Sequence, residues 1–292
     1  MRRRRKVKTA DTIHRPNFAG LRVAAFESRM AEEMTRLIQR HGGDPLVTPA
    51  LREIPLEDHH SVFDFGRRLL KGEFDMIILL TGVGVRYLVE VLETRHARNS
   101  IKEALGRIAL VVRGPKPAAA LKELGLTANI SVPEPNTWRE LLQVLDQHRN
   151  LKALRIAVQE YGSSNLDLLE ALRGRGAEVT PVSIYRWSLP EDIRPLKAAL
   201  GRIMAGEVDV LLITNAAQVD HIIQVLSPTN EIARFRDALK RVVVGSIGPT
   251  ASEYLRRHNL PIDLEPSHPK MGTLAKEVSE QAAAILQKKR SR

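Results

Sequence analysis

The chain repeats its own pattern at a shift of about 134 residues, and this repeat constrains its fold more than any other feature. Three pairs of segments align: 74–92 with 208–226, 107–115 with 241–249, and 21–26 with 154–159. The shift is 134 residues for the first two pairs, where Asp75 meets Asp209, and 133 for the third. A shift that stays nearly constant over so much of the chain predicts a duplicated structural unit.

Each repeat alternates apolar strands with helical patterns. Strands are predicted at 21–26, 75–80, 107–113, 154–159, 208–213 and 241–246. The segment after the first strand places apolar residues at the spacing of an amphipathic helix, at Met30, Met34, Leu37 and Ile38. Strands that alternate with helices are typical of parallel sheets covered on both faces. The sequence therefore predicts two similar doubly wound, flavodoxin-like α/β domains.

Composition limits the class of protein. The 292 residues are 43% hydrophobic, enough to bury a core, and only 4% aromatic, which disfavours stacking platforms for single-stranded nucleic acid. Cysteine is absent from the sequence, which excludes disulfides and thiol catalysis. The longest apolar stretch, at 76–85, is too short to span a bilayer, and the N-terminus lacks the apolar segment of a secretory signal. We expect a cytoplasmic protein without membrane association.

The formal net charge is +11, and part of it lies in the basic runs 2–6 and 288–290. Such runs are most often solvated, disordered ends, which is the interpretation we favour. The alternatives are attraction of a polyanionic substrate and binding of nucleic acid. Basic residues also occur throughout the remainder of the chain, so the two runs alone do not account for the charge.

Small polar residues and glycines follow the predicted strands, where the next helix begins. They are Ser28, Arg29, Thr81, Gly82, Ser163, Ser164, Thr214, Asn215, Ser246, Gly248 and Thr250. In doubly wound domains ligands bind beyond the carboxyl ends of the strands, and helix N-termini bind carboxylates or phosphates. Each residue alone also fits an ordinary helix cap. Taken together, at several strand ends, they predict an anion-binding site.

Several common catalytic motifs are missing from the sequence. It contains no phosphate-binding loop of the Gly-x-x-x-x-Gly-Lys type and no Gly-x-Ser-x-Gly elbow. The segment 82–87 lacks the third glycine of a dinucleotide fingerprint. Two adjacent histidines at 59 and 60 lie in a polar segment without the spacing of a metal site, so exposed surface is the favoured interpretation and no metal is predicted.

Four segments of the C-terminal half form a recognisable set: TNAAQV (214–219), VVGSIGPTASEYL (243–255), LPIDLEPSHPKMGTLAKEV (260–278) and LRGRGAEVTPVSIYRW (172–187). Through these segments the chain resembles the uroporphyrinogen-III synthase family. The likeness extends over about residues 20–284, and in the middle third it is a matter of order and spacing. Two positions depart from the family pattern, because Leu80 and Ala251 stand where many members have threonine.

The resemblance implies two domains of one α/β type, joined by a two-stranded linker. On this chain it places a basic disordered tail at 1–18, domain 1 at 19–48 plus 189–286, domain 2 at 56–182, and the linker strands at 49–55 and 183–188.

The resemblance also implies a reaction. Hydroxymethylbilane, a linear tetrapyrrole with eight carboxylates, loses its hydroxyl and closes into a ring with inversion of the last pyrrole, and neither a metal nor an organic cofactor takes part. Tyr185 matches the family's linker tyrosine and is the candidate proton donor to the departing hydroxyl. The eleven residues at the strand ends are the candidate substrate contacts.

Two other classes of function stay open. One is a tetrapyrrole- or anion-binding regulatory protein that kept the fold without catalysis, which the departures at Leu80 and Ala251 motivate. The other is a nucleic-acid binder, which the low aromatic content and the lack of a DNA-reading motif disfavour. A monomer that acts on a small-molecule substrate is the expectation.

Overall fold

The computed structural model describes residues 17–56, 59–148, 150–160, 162 and 164–291. Its strands are β1 (Arg22–Ala25), β2 (Asp44–Val47), β3 (Arg52–Pro55), β4 (Met76–Leu79), β5 (Ala109–Val112), β6 (Ile130–Ser131), β7 (Arg155–Gln159), β8 (Glu178–Val182), β9 (Tyr185–Ser188), β10 (Val210–Ile213) and β11 (Val243–Ser246). Its α-helices are α1 (Ala31–Arg40), α2 (His60–Leu70), α3 (Gly82–Glu93), α4 (Arg98–Gly106), α5 (Pro115–Glu123), α6 (Trp138–His148), α7 (Leu166–Gly174), α8 (Arg194–Met204), α9 (Ala216–Leu226), α10 (Ile232–Leu239), α11 (Pro249–Arg257) and α12 (Met271–Arg290). No described helix is both long enough and apolar enough to cross a membrane.

The described residues form two compact units. Unit 1 contains residues 17–48, 194–219 and 223–291, and unit 2 contains residues 49–193 and 220–222. Each unit is built on a parallel sheet. The central strands β4 and β10 are four apolar residues long and buried at every position, as expected for strands covered by helices on both faces. The predicted doubly wound α/β fold is confirmed.

The two sheets have the same order of strands once the repeats are matched. The sheet of unit 1 runs β2-β1-β10-β11, and the sheet of unit 2 runs β8-β7-β4-β5-β6. All neighbouring strands in both sheets are parallel. Leu264 continues the first sheet through a parallel bridge to Gly245. Thus β1 corresponds to β7 and β10 to β4, in agreement with the shifts of 133 and 134 in the sequence.

Each sheet combines strands from both repeats. In unit 1, β1 of the first repeat pairs with β10 of the second, and in unit 2, β7 of the second repeat pairs with β4 of the first. On the two sides of this pairing, successive strands are added toward opposite edges of the sheet. Doubly wound sheets bind ligands at such a switch point, beyond the carboxyl ends of the strands.

An arginine and an aspartate join the two repeats at the amino end of each pairing. Arg22 donates its backbone N–H and its Nε to Asp209 Oδ2, at 2.9 and 3.1 Å. Arg155 makes the matching bonds to Asp75 Oδ2, at 2.8 and 3.1 Å. Arg290 gives Asp209 a further hydrogen bond at 2.7 Å. Burial by itself raises the pKa of Asp209, but the hydrogen bonds from Arg22 and Arg290 outweigh it and lower the pKa to about 2.

Strands β3 and β9 form a separate two-stranded sheet. They are antiparallel, with Arg52 opposite Ser188 and Pro55 opposite Tyr185. Both strands belong to unit 2. The sheet fixes Tyr185 at the start of β9, and the neighbouring Trp187 donates its N–H to the Gly162 carbonyl at 3.3 Å.

The C-terminal basic run is folded, which corrects its interpretation as a disordered end. Helix α12 extends to Arg290, and Lys289 is only 15% exposed. Its ammonium donates to the Leu239 and Val242 carbonyls, at 3.1 and 2.6 Å, and to Asp263 Oδ2 at 2.5 Å. Three oxygen acceptors compensate the burial of this charge. The run therefore belongs to unit 1.

Phe18 is the second correction, because the predicted N-terminal tail at 1–18 includes it. Its side chain is completely buried, and its N–H donates to the His41 carbonyl at 2.8 Å. It packs in the core of unit 1 with Val23, Ile38 and Val210. The basic run 2–6 lies outside the described residues.

Candidate active site

The carboxyl end of β4 brings Thr81 and Tyr185 together. Thr81 is the N-cap of α3, and its Oγ1 accepts a hydrogen bond from the Gly84 N–H at 3.0 Å. The Tyr185 hydroxyl lies 3.5 Å from the same Oγ1, and Tyr185 is only 8% exposed. A phenol next to a helix N-terminus is placed to give a proton to a group held by that helix.

A side-chain amide bridges the two central strands of unit 2 at this end. Gln159 Oε1 accepts the N–H groups of Leu80 and Thr81, both at 3.2 Å, and its Nε2 donates to the Glu160 carbonyl. The amide occupies the space beside Gly84, where a Cβ would collide with Nε2. A glycine at position 84 is therefore what allows Gln159 to reach across.

Unit 1 has a similar bridge, but its glutamine comes from helix α9 instead of from a strand. Gln218, which aligns with Gly84, accepts the Thr214 N–H at 3.0 Å and donates to the Phe26 carbonyl at 2.7 Å. Phe26 in turn aligns with Gln159. In both units a glutamine therefore accepts the equivalent N–H, that of Leu80 or Thr214, but it comes from the helix in unit 1 and from the strand in unit 2.

A glutamate lies at the switch point of each sheet, because Glu27 and Glu160 follow the aligned strands β1 and β7. In unit 1, Glu27 Oε1 accepts a hydrogen bond from the Thr214 hydroxyl. In unit 2 the residue that aligns with Thr214 is Leu80, which has no hydroxyl. Glu160 Oε2 accepts from Ser183 Oγ at 2.5 Å, whereas no residue that the structure describes donates to its Oε1.

Glu160 lines a cavity of about 150 Å³ in unit 2 that is partly open to solvent. The residues around this cavity are Leu56, Glu160, Gly162, Ser164, Ser183, Tyr185 and Arg186. Gly162 has a φ of +68° and lies against the Trp187 ring, with which a Cβ would collide. Only glycine fits at this turn, so any side chain at position 162 would displace Trp187 and change the wall of the cavity.

The carboxyl end of the unit 1 sheet is formed by two helix starts. Asn215 is the N-cap of α9 and accepts the Ala217 N–H at 2.9 Å. Gly248 precedes α11, with Pro249 at the first helical position, and a Cβ on Gly248 would lie 3.2 Å from Pro269 Cβ. Thr250 is partly exposed in the first turn. All three residues lie at helix starts, the type of position at which backbone N–H groups bind anions, and their part in binding stays a prediction.

The equivalent helices α5 and α11 differ in their free N–H groups. In α11 only Pro249 among the first three residues lacks an N–H, whereas α5 begins with Pro115, Lys116 and Pro117. Two prolines remove two of the donors that an N-terminus offers to an anion. The α5 start is therefore the weaker anion site of the two.

The remaining candidate residues differ in accessibility. Ser246 is completely buried, and its hydroxyl accepts from Ser252 Oγ at 2.8 Å. Gly82 is buried against α5, where a Cβ would lie 2.6 Å from the Lys116 carbonyl oxygen, so helix packing alone accounts for this glycine. Ser28 and Arg29 form the bend before α1, and Arg29 is exposed. Ser164 lines the cavity, and Ser163 lies outside the described residues.

Sequence reasoning missed the two glutamates and the two glutamines of the switch points. The available signal is the aligned positions of Glu27 and Glu160, one residue after aligned strands. The adjacent histidines His59 and His60 lie beside His96 in a separate groove of unit 2. Among the described residues no group of three or more histidine, aspartate or glutamate side chains is placed to hold a metal ion.

Comparison with known proteins decides the family. The family model for uroporphyrinogen-III synthase HemD matches residues 32–276. The chain belongs to the uroporphyrinogen-III synthase family. A mutant uroporphyrinogen III synthase from Thermus thermophilus is 28% identical in sequence, and the match covers 92% of this chain and 100% of that one with a TM-score of 0.71. The wild-type Thermus enzyme in another crystal form gives a TM-score of 0.55 at the same identity, with 93% and 100% coverage.

A further relative of this uroporphyrinogen-III synthase family chain comes from Bacillus subtilis strain 168. This uncharacterized protein, YjjA, is 28% identical over 262 residues, which are 89% of this chain and 96% of that protein. The family resemblance inferred from the sequence is confirmed by the family model and the Thermus structures.

Proposed function

We propose that the chain is a uroporphyrinogen-III synthase, a lyase of porphyrin and haem biosynthesis that dehydrates and cyclises hydroxymethylbilane. The observation that carries the proposal is the Tyr185 hydroxyl at the N-terminus of α3, in a chain of this family. In the proposed reaction Tyr185 gives a proton to the departing hydroxyl, which leaves as water. A pyrrole nitrogen conjugated to the carbon makes this departure intrinsically easy, so the protein's main task is to hold the chain in a productive shape.

Substrate recognition in this proposal rests on positive charge and helix starts. The substrate carries eight carboxylates, and the chain has a net charge of +11. N–H groups at the starts of α3, α9 and α11 are of the type that binds carboxylates, with the side chains of Thr81, Asn215 and Thr250 beside them. No organic cofactor or metal is assigned a role.

The proposal is tested with purified, chelator-treated protein and hydroxymethylbilane. The product is oxidised to porphyrin and separated chromatographically into isomers III and I, of which isomer I also forms spontaneously. We expect isomer III to predominate with the protein, and isomer I alone in a heat-denatured control. A protein sample that yields only isomer I contradicts the proposal.

A non-catalytic tetrapyrrole-binding protein is the second candidate. The observation that favours it is the pair of prolines in the first turn of α5, together with Leu80 in place of a threonine. This candidate predicts that the protein binds the tetrapyrrole with measurable affinity while the isomer ratio stays that of the heat-denatured control.

Three variants separate a distributed site from a single essential acid. Tyr185→Phe and Thr250→Ala are each expected to lower kcat/KM only about tenfold, which lies below the range of about 10²–10⁴ for a general acid that is essential, because backbone N–H groups remain. Gly248→Val is expected to cost about a hundredfold, since its side chain pushes on Pro269 and a shift of about 1 Å at a helix start misplaces the substrate. Steady-state kinetics compare the three, with circular dichroism as the control for folding. Loss of all turnover in Tyr185→Phe with normal turnover in Gly248→Val contradicts the distributed site.

A further inference from the structure

We propose that the cavity of unit 2 binds the pyrrole ring that carries the hydroxymethyl group, and that Glu160 accepts a hydrogen bond from the N–H of this ring. The inference deepens the proposed function and rests on it for the identity of the ligand. It assigns a role to a buried carboxylate that the reaction described above does not use.

Topology places Glu160 where a ligand is expected. It follows β7, whose neighbour β4 is the strand at which the sheet reverses its order. The crevice beyond the carboxyl ends of two such strands is the ligand site of doubly wound sheets. Tyr185 lines the same cavity as Glu160, so the proposed proton donor and the carboxylate border one space.

One oxygen of the buried Glu160 carboxylate lacks a hydrogen-bond donor among the described residues, although Ser183 donates to the other. Glu160 is only 6% exposed, and its Oε1 has no hydrogen-bond donor among the described residues. Buried polar atoms of this kind are rare and costly unless something outside the chain satisfies them. The equivalent Glu27 shows the satisfied state, because the Thr214 hydroxyl donates to it. In unit 2 the aligned residue is Leu80, which has no hydroxyl to donate, so the missing hydrogen bond is specific to Glu160.

The chemistry of the cavity fits the nitrogen edge of a pyrrole ring. A carboxylate repels the acetate and propionate groups of the substrate, so it is suited to an N–H donor or a cation instead. A cavity of about 150 Å³ is large enough for a six-carbon aromatic ring, and a five-membered ring is smaller. Exposed Arg186 lines the same cavity and offers a guanidinium to a carboxylate on the opposite edge of the ring.

This placement also bears on the chemical step. The C–O bond breaks with its electron pair on oxygen, the oxygen takes the proton of Tyr185, which is left as a phenolate, and one water molecule leaves. The ring keeps its N–H hydrogen and gains one positive charge, which is shared by the nitrogen. A carboxylate hydrogen-bonded to that nitrogen binds the charged ring more strongly than the neutral ring, and this difference lowers the barrier.

The first test compares Glu160→Gln with wild type, Glu160→Asp and the surface control Glu123→Gln, which lies in an exposed ion pair of the same unit. Glu160→Gln is expected to lower kcat about ten- to hundredfold, because a neutral acceptor replaces a charged one at a nitrogen that becomes positive, with KM changed less. Glu160→Asp is expected to retain part of this activity, and Glu123→Gln all of it. An unchanged kcat in Glu160→Gln overturns the inference even when wild type makes isomer III.

The second test does not depend on activity. Ligand-observed NMR measures binding of pyrrole-3-carboxylate and of its N-methyl analogue, which lacks the N–H. Wild type is expected to bind the N–H compound at least about fivefold more tightly than the N-methyl compound. Glu160→Leu, which has no acceptor, is expected to lose this preference, and Glu160→Gln to keep part of it through its amide oxygen. Thermal melting without ligand adds a structural readout, because removal of an unpaired buried charge is expected to raise the Tm in Glu160→Gln but not in Glu27→Gln.

The two tests separate failure of the inference from failure of the proposed function. Equal binding of both compounds to wild type overturns the ring site, whatever the enzyme assay gives. A wild-type protein that makes no isomer III yet prefers the N–H compound through Glu160 supports the ring site in a binding protein and contradicts the synthase.

Discussion

Asp209→Asn is expected to lower the free energy of unfolding of unit 1 by about 3 kcal/mol at pH 7, because it removes the charge of a buried carboxylate that accepts hydrogen bonds from two arginines. The Asp209 carboxylate is only 7% exposed and joins Arg22 to Arg290. The carboxylate of Asp75, which pairs with Arg155, is 31% exposed, so solvent screens that pair more strongly. The matched variant Asp75→Asn is therefore expected to cost less than half as much. Urea denaturation followed by circular dichroism measures both.

The same aspartate predicts how stability depends on pH. The folded-state pKa of Asp209 is about 2, below its ordinary value of 3.8, so its contribution is complete above about pH 5 and is lost as the pH falls toward 2. A shift of this size corresponds to about 2 kcal/mol. The difference in unfolding free energy between wild type and Asp209→Asn should therefore shrink between about pH 5 and about pH 2. A difference that stays constant over this range contradicts the assigned role of the two arginines.

Gly84→Gln is expected to lower the free energy of unfolding by about 3 kcal/mol, because the new side chain enters the space of the Gln159 amide. The collision displaces Gln159 and leaves the N–H groups of Leu80 and Thr81 without their acceptor. Gln159→Phe alone is expected to cost a similar amount, since it removes the same acceptor. Each single variant changes one of the two positions, 84 or 159, and leaves the other as it is in the wild type.

The double variant Gly84→Gln/Gln159→Phe recreates in unit 2 the combination of Gln218 and Phe26 that unit 1 contains. It is expected to recover about a third of the combined loss, which is a coupling of about 2 kcal/mol between the two positions. A double-mutant cycle from urea denaturation gives this coupling directly. Strict additivity of the two losses would show that the helix glutamine cannot replace the strand glutamine in unit 2.

Local patterns in the sequence predict the fold well, because they are repeated and periodic. All six predicted strands have bounds within two residues of the observed strands, and the helical spacing of Met34, Leu37 and Ile38 corresponds to the buried face of α1. The short strand β6 is not predicted, since its two residues carry no period. The prediction for the basic run at 288–290 is wrong because the partners of Lys289 lie 26 to 50 residues away in sequence.

The candidate site is predictable only where a local signal marks it. Thr81 follows a strand and opens a helix, which is such a signal, and the family resemblance supplies Tyr185. The roles of Gln159 and Glu160 depend on the pairing of β7 with β4, which brings together residues 79 positions apart in the chain. Neither residue type is unusual after a strand. Only the three-dimensional pairing shows that Gln159 accepts backbone N–H groups of β4's end and that Glu160 Oε1 has no donor among the described residues.

The exchange of strands between the repeats sets an order of events during synthesis of the chain. The sheet of unit 2 is complete once residue 182 has emerged from the ribosome, whereas β1 waits for β10, whose contacts with it span 187 residues. At about 5–20 residues per second this wait lasts roughly 10 to 40 s. Throughout it, Phe18, Val23 and Ile38 lack the β10 side of their core and are open to chaperones or to other nascent chains. The segment that contains β1 is thus made long before the strand that completes its core.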